Sequence, residues 1–180
     1  MKQKLLGGTA FVVALAILYV FAMPSYRQGE PSIAGRRASD FTFEMNGQTT
    51  RLADLHGKVV VLDFWASWCP PCVEETPALN ALHQRIAAQG GLVLGISQDD
   101  DPAAYEKFLA EQHVVFPTYR DTTAQAQRPG KIAAAYGTSI FPESYLISKD
   151  GRIASKVAGA QDWATNPELN STIDLLLRSQ

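Results

Sequence analysis

The chain of 180 residues holds two cysteines, Cys69 and Cys72, spaced three apart in the stretch DFWASWCPPC. A C-x-x-C pair can bind zinc, form an inert cross-link, or exchange electrons by opening and closing a disulfide. Zinc needs four ligands, and the chain has no second C-x-x-C and no H-x-x-x-H among His56, His83 and His113. What precedes the pair favours redox chemistry. Val59 to Trp65 is a short apolar run rich in β-branched and aromatic residues, the pattern of a strand buried on both faces. A proline at the first helical position costs no hydrogen bond, so Pro71 is expected to start a helix that carries Cys72 in its first turn. Cys69 then sits at a helix N-terminus, where unpaired N–H groups and the helix dipole favour a thiolate. The thiolate is the attacking species. Cys69 is therefore the expected nucleophile, and Cys72, further in and less exposed, the thiol that resolves the mixed disulfide.

The helix that follows must present these sulfurs, and its apolar stripe is Cys72, Glu75, Leu79, Leu82 and Ile86, spaced 3, 4, 3, 4. Glu75 thus falls on the apolar face, while Glu74 points away. A carboxylate there is costly unless partnered, and Asp63 poses the same problem inside the buried strand. Each is a candidate proton carrier with a raised pKa; the bland alternative is that each finds a hydrogen bond and only holds structure. Pro77 is expected to kink the helix.

The remaining elements read as scaffold. Phe41 to Phe43 and Thr49 to Leu52 flank Asn46-Gly47, a hairpin signal. Leu92 to Ser97 is a second buried strand. The aspartates at 99 to 101 tempt a metal reading, but Asp101-Pro102 is a helix start, with Asp as cap and Pro in the first turn. Val115 to Tyr119 is expected as a short strand, Lys131 to Tyr136 as a helix ended by Gly137, and Ile140 to Ile147 as a strand that contains a proline near its start. Lys149-Asp150-Gly151 turns the chain into Ile153 to Val157, and Asn166-Pro167 opens a closing helix that runs to Arg178. His56, in the turn before the central strand, reads as a solvated histidine.

The stretch DFWASWCPPC, with Pro77 five residues after the second cysteine and a later Phe141-Pro142, resembles the thioredoxin superfamily. More closely, Ser39 to Ile153 resembles the membrane-anchored, extracytoplasmic TlpA/ResA-type reductases and the CcmG/DsbE thioredoxins of cytochrome c maturation. The resemblance implies an α/β thioredoxin-like sandwich: a central mixed sheet with helices on both faces, an N-terminal β-hairpin, and a TlpA-type insertion over Phe108 to Gly137. It matches Asp63 to the buried aspartate of thioredoxins and Glu75 to the glutamate three residues after the second cysteine of ResA and CcmG proteins. It makes Pro142 a cis-proline against the cysteines, where sequence alone supports only a turn. The substrate-binding set it implies is Trp68, Pro70, Pro71, Phe141 and Pro142. Phe141 departs from the smaller or β-branched residue usual there, in wording (Pro-Glu-Ser-Tyr-Leu-Ile) otherwise similar to the Pro-Glu-Thr-Phe-Leu-Ile of CcmG-like proteins.

Leu5 to Met23 is free of charge for 19 residues after Lys2 and Lys4, close to the roughly 20 that span a bilayer core. The expected organisation is an N-terminal membrane anchor over 1–24, with a cleaved signal peptide as the alternative, a tether over 25–38, and a thioredoxin-like domain over 39–180. Either reading of the first segment exports the rest. A net charge of −2 with no basic cluster in the body of the chain gives no reason to expect nucleic acid. No G-x-G-x-x-G follows a strand, so no nicotinamide or flavin cofactor is expected, and a membrane partner would have to re-reduce the Cys69–Cys72 pair. Protein disulfides are the expected substrates, with apocytochrome c the class that the resemblance implies. Two rivals fit less well. A peroxiredoxin-type peroxidase wants Thr or Ser three residues before its cysteine, where this chain has Ala66, and a Sco-like copper chaperone wants C-x-x-x-C with a later histidine, and none follows His113.

Overall fold

The computed structural model describes residues 33–45, 47–125 and 128–179. The expected anchor and most of the expected tether lie outside the described residues. Among the described residues, no helix is long and apolar enough to cross a membrane.

The chain enters by pairing with its own far end: Gly35 N donates to Ile153 O at 2.7 Å and Ile153 N to Arg36 O at 2.8 Å. A hairpin follows, β1 (Thr42–Met45) and β2 (Gln48–Arg51), with Met45 opposite Gln48. That register leaves two residues for the turn, and Gly47 there adopts φ +73°, as a tight hairpin turn requires. The central strand β3 (Val59–Trp65) is buried at all seven positions. It pairs in parallel with β4 (Gly91–Ser97) and antiparallel with β6 (Glu143–Ile147). The edges are β5 (Thr118–Arg120), parallel to β4, and β7 (Ile153–Ala158), antiparallel to β6, giving the order β5-β4-β3-β6-β7.

Strand periodicity divides the core. From β3, Val59 and Val61 pack with Leu79, Leu82 and Ile86 of α1 (Pro70–Ala87) and with Ile173 and Leu177 of α4 (Pro167–Arg178). Trp65, of the same parity, stacks on Phe108 of α2 (Pro102–Glu111) with ring centroids 4.3 Å apart. Asp63 lies between them in that alternation, so it belongs to the face that α1 covers. On the other face Phe64 meets Tyr136 of α3 (Lys131–Tyr136) at 5.4 Å and Tyr145 at 5.9 Å. This is the mixed α/β thioredoxin-like fold with helices on both faces that the sequence implies.

Among the boundaries that differ from expectation, three have a clear physical cause. The helix begins at Pro70, not Pro71, with Cys69 as its N-cap; both prolines lie in the first turn, where no donor is missed. Strand β5 starts at Thr118, because Asn80 Oδ1 accepts from Val115 N at 2.9 Å and Pro117 has no N–H to give a ladder. Strand β6 starts at Glu143, after a cis Phe141-Pro142 bond that closes the preceding loop. The caps are as read: Asp101 Oδ1 accepts from Ala103 N, Asn166 Oδ1 from Glu168 N and Leu169 N, and Gly137 takes φ +74° after α3.

Gly95 is a close-approach position. A Cβ there would lie 2.8 Å from Trp65 Nε1 and 3.0 Å from the Phe116 ring, so a buried ring would have to shift to admit it. Gly95→Ala is expected to destabilise the domain by about 1–3 kcal/mol, read as a lower urea midpoint. An unchanged midpoint would contradict this packing.

Candidate active site

The carboxyl end of β3 delivers the chain into a short loop, Ala66 to Trp68, and then into Cys69. Cys69 N donates to Ala66 O, and Cys69 O receives Cys72 N at 3.0 Å and Val73 N at 3.2 Å, the opening bonds of α1. The two sulfurs are joined as a disulfide, with Cα atoms 5.3 Å apart. Cys69 keeps 5% of its surface exposed and Cys72 1%. They lie against Trp65, Ala66 and Phe108, with Val73, Tyr105 and Phe141 around them.

A buried aspartate fixes the loop. Asp99 accepts from Ser67 N at 3.1 Å, Ser67 Oγ at 2.6 Å and Ser97 Oγ at 2.6 Å. Sequence reasoning took the three aspartates only as a helix start, which holds for Asp101, and missed the middle chain's need for Asp99. The signal was available: β3 and β4 run parallel, so the loops after Trp65 and Ser97 leave the sheet side by side. Among the described residues no cluster of His, Cys, Asp or Glu is placed to hold a metal.

The two carboxylates are both buried, and the charge of Asp63 bears on Glu75. Asp63, 1% exposed, accepts one bond, from Ser144 Oγ at 2.6 Å. Burial pushes its pKa up to about 7, with the Ser144 bond opposing. Glu75, 3% exposed, accepts from Gln161 N at 3.0 Å and Trp163 Nε1 at 3.1 Å, both on Oε2. Burial first and the Asp63 charge second raise it to about 8, against those two bonds. Glu75 is three residues after Cys72 on the same buried stripe of α1. Ser144 was missed in the sequence because its role depends on register: it stands directly opposite Asp63 across β3 and β6. Gln161 and Trp163 gave no signal, being loop residues nearly ninety positions away in the chain.

The other expected residues line the approach. Trp68 is 40% exposed and meets the Phe141 ring edge-on at 5.9 Å. Pro70 is exposed and Pro71 half-buried, while Pro142 is buried and its carbonyl accepts from Gly159 N at 2.9 Å. Ile140, outside the expected set, is 76% exposed on the same loop. That loop is tied down by Glu143, which accepts from Thr138 Oγ1 and Tyr145 Oη and pairs with Lys156 Nζ at 2.8 Å.

A redox-active C-x-x-C at the start of the helix after the central strand of this mixed sheet, facing a cis-proline loop, defines a thioredoxin-like thiol–disulfide oxidoreductase. Residues 34–156 match the AhpC/TSA family, and the chain belongs to it. It is similar to the thiol-disulfide oxidoreductases ResA of Bacillus anthracis, 32% identical over 89% of this chain and 91% of that one, and of Geobacillus kaustophilus, 30% identical over 88% and 89%. Among solved structures, a protein described as thiol:disulfide interchange protein DsbE from Chlorobium tepidum matches with a TM-score of 0.71 and 30% identity, over 80% of this chain and 97% of that one. The resemblance to TlpA/ResA-type thioredoxins is thereby borne out.

The raised carboxylates carry a pH signature. Their ordinary values are 3.8 and 4.5, so between about pH 4 and 8 the folded state holds protons that the unfolded chain has released. Folding stability contributed by these groups is therefore full at low pH and is lost as pH rises through their folded values. Asp63→Asn and Glu75→Gln should each stabilise the oxidised protein at pH 9 relative to wild type, on the order of 2 kcal/mol, and much less at pH 5. Urea unfolding at the two pH values reads this; an equal effect at both would mean that neither carboxylate is held protonated.

Proposed function

We propose that this oxidoreductase works as a protein disulfide reductase outside the cytoplasmic membrane, held there by its N-terminal segment and re-reduced by a membrane electron donor. Apocytochrome c is the substrate class this reading favours. The observation that carries it is the Asp63–Glu75 pair buried behind the cysteines. A carboxylate charge near a thiolate disfavours it, and a disfavoured thiolate makes the reduced pair a better electron donor than that of a strong oxidant. The export arm rests on the charge-free run Leu5 to Met23 and on the resemblance to anchored extracytoplasmic reductases; the substrate arm rests on the resemblance alone.

In the forward direction the Cys69 thiolate attacks one sulfur of a substrate disulfide. The substrate's other sulfur leaves and takes up a proton, and Cys69 is left in a mixed disulfide. Cys72 then gives its proton to a buried carboxylate and attacks Cys69 Sγ, which expels the substrate's second sulfur. Two electrons and two protons pass to the substrate, and the Cys69–Cys72 disulfide remains. Trp68, Ile140 and Phe141 supply an apolar rim over which the substrate chain lies, and Pro70, Pro71 and Pro142 complete that face.

Cys72→Ser is expected to accumulate mixed disulfides through Cys69, with Cys69→Ser accumulating none; trapping through Cys72 alone would reverse the two roles. A redox titration against glutathione should place the pair nearer about −270 mV, as in thioredoxin, than about −120 mV, as in DsbA. A value near the second would make the protein an oxidant on the same fold.

A further inference from the structure

Glu75 is held unevenly. Oε2 takes both available donors, Gln161 N at 3.0 Å and Trp163 Nε1 at 3.1 Å, and Oε1, although buried, has no hydrogen-bond partner among the described residues. Trp163 is fully buried, and its ring belongs to the main core with Leu79, Leu82 and Ile173. Its indole N–H is thus fixed by packing on the carboxylate. Gln161 is pinned in turn, its side-chain amide donating to Ala158 O and Gly159 O.

We propose that Trp163 is a positioning residue for the thiol chemistry: with the Gln161 N–H it pins Oε2 of Glu75, so that Oε1 is the oxygen that takes the proton from the Cys72 thiol. Two donors on one oxygen stabilise negative charge there and make the free oxygen the site of protonation. The same clamp fixes the Glu75 rotamer, so proton exchange needs no side-chain search. In the resolving step the Cys72 S–H bond breaks, its proton goes to Oε1, the sulfur bonds to Cys69 Sγ, and the substrate sulfur leaves with the electron pair of the broken mixed disulfide. Among the described residues, the charged group that acts on Glu75 is Asp63 of β3, which raises it, while Asp162, next to Gln161 in the loop, is exposed and its carboxylate accepts from Ala164 N, Thr165 N and Thr165 Oγ1. The clamp also limits how far burial and Asp63 raise Glu75, since both of its bonds lower the pKa.

This inference rests on Glu75 as the proton carrier, and the test separates the two. The reduced protein is mixed with 5,5′-dithiobis(2-nitrobenzoate) in a stopped-flow instrument. Attack by Cys69 releases a first thionitrobenzoate, and attack by Cys72 on the mixed disulfide releases a second. The pH profile of the second phase is the readout. Trp163→Phe keeps an aromatic ring and removes the N–H, and should move the midpoint of that profile up by about one to two units, slowing the second phase about tenfold at pH 7. Benzothienylalanine placed at position 163 keeps the full indole shape without the N–H and should give the same shift, even where the phenylalanine variant folds poorly. In a Glu75→Gln background neither replacement should move the profile further. An unmoved profile in the benzothienylalanine protein, with Glu75→Gln altering it, overturns the role of Trp163 alone. A Glu75→Gln profile identical to wild type overturns the proton carrier and this inference with it.

Discussion

Asp63 stands in a strand whose seven residues are all buried, and a carboxylate in that position costs several kcal/mol unless it is neutral or well bonded. Its Oδ1 accepts from the Ser144 hydroxyl, a neutral donor. One neutral donor cannot offset the desolvation of a full charge, so Asp63 titrates at about 7, well above the usual carboxylate range. Glu75 meets the same condition and adds a second: when Asp63 is ionised, Glu75 is pushed further toward its neutral form. With folded values of about 7 and about 8, the pair is partly ionised near neutral pH, and its ionised member can accept the proton that a resolving thiol must lose. Replacing a buried charged pair by apolar residues of similar size is often neutral or stabilising, so packing alone gives no reason for these side chains.

Two electrostatic effects compete at the cysteines, and their sizes decide the outcome. The start of α1 favours an anion by about 0.3–1 kcal/mol, up to ~2 in a partly buried site. A charged carboxylate three residues along the same helix face, roughly 5–6 Å away, opposes an anion by about 3 kcal/mol at an effective dielectric of about 20. For Cys72 the carboxylate wins, and a Cys72 thiolate and an ionised Glu75 are poor companions. The proposed proton transfer avoids that pairing, because the carboxylate would gain its proton as the thiol loses it. Cys69, at the cap itself, feels the helix end most directly and keeps the greater exposure, so the two sulfurs differ for reasons already present in the backbone.

What was legible in the sequence was what depends on near neighbours along the chain. The buried run Val59 to Trp65, the 3-4 stripe of α1, the hairpin joining β1 to β2, the Asp101 and Asn166 caps and the Gly137 stop are all local, and all appear as read. The proposed partners of the chemistry were not local. Ser144 reaches Asp63 only through the register of β6 on β3, Asp99 reaches Ser67 only because β4 lies parallel to β3, and Trp163 reaches Glu75 from a loop after the last strand. The strand expected from Val115 starts late, at Thr118, for a related reason: Asn80, thirty-five positions earlier, takes the Val115 N–H that a ladder would have used. Propensity placed the elements, and contacts between distant segments placed the protons.

The rim completes the argument. Trp68 and Ile140 expose large apolar surface at the mouth of the site, while the sulfurs beneath are almost covered. An extended chain lying over Trp68, Ile140 and Phe141 would bury that surface and expel water from above the disulfide. Removing water lowers the local dielectric at the moment the mixed disulfide forms, which strengthens the coupling between Cys72, Glu75 and Asp63. In the proposed reductase, substrate contact and proton transfer would then be linked through the solvent they exclude.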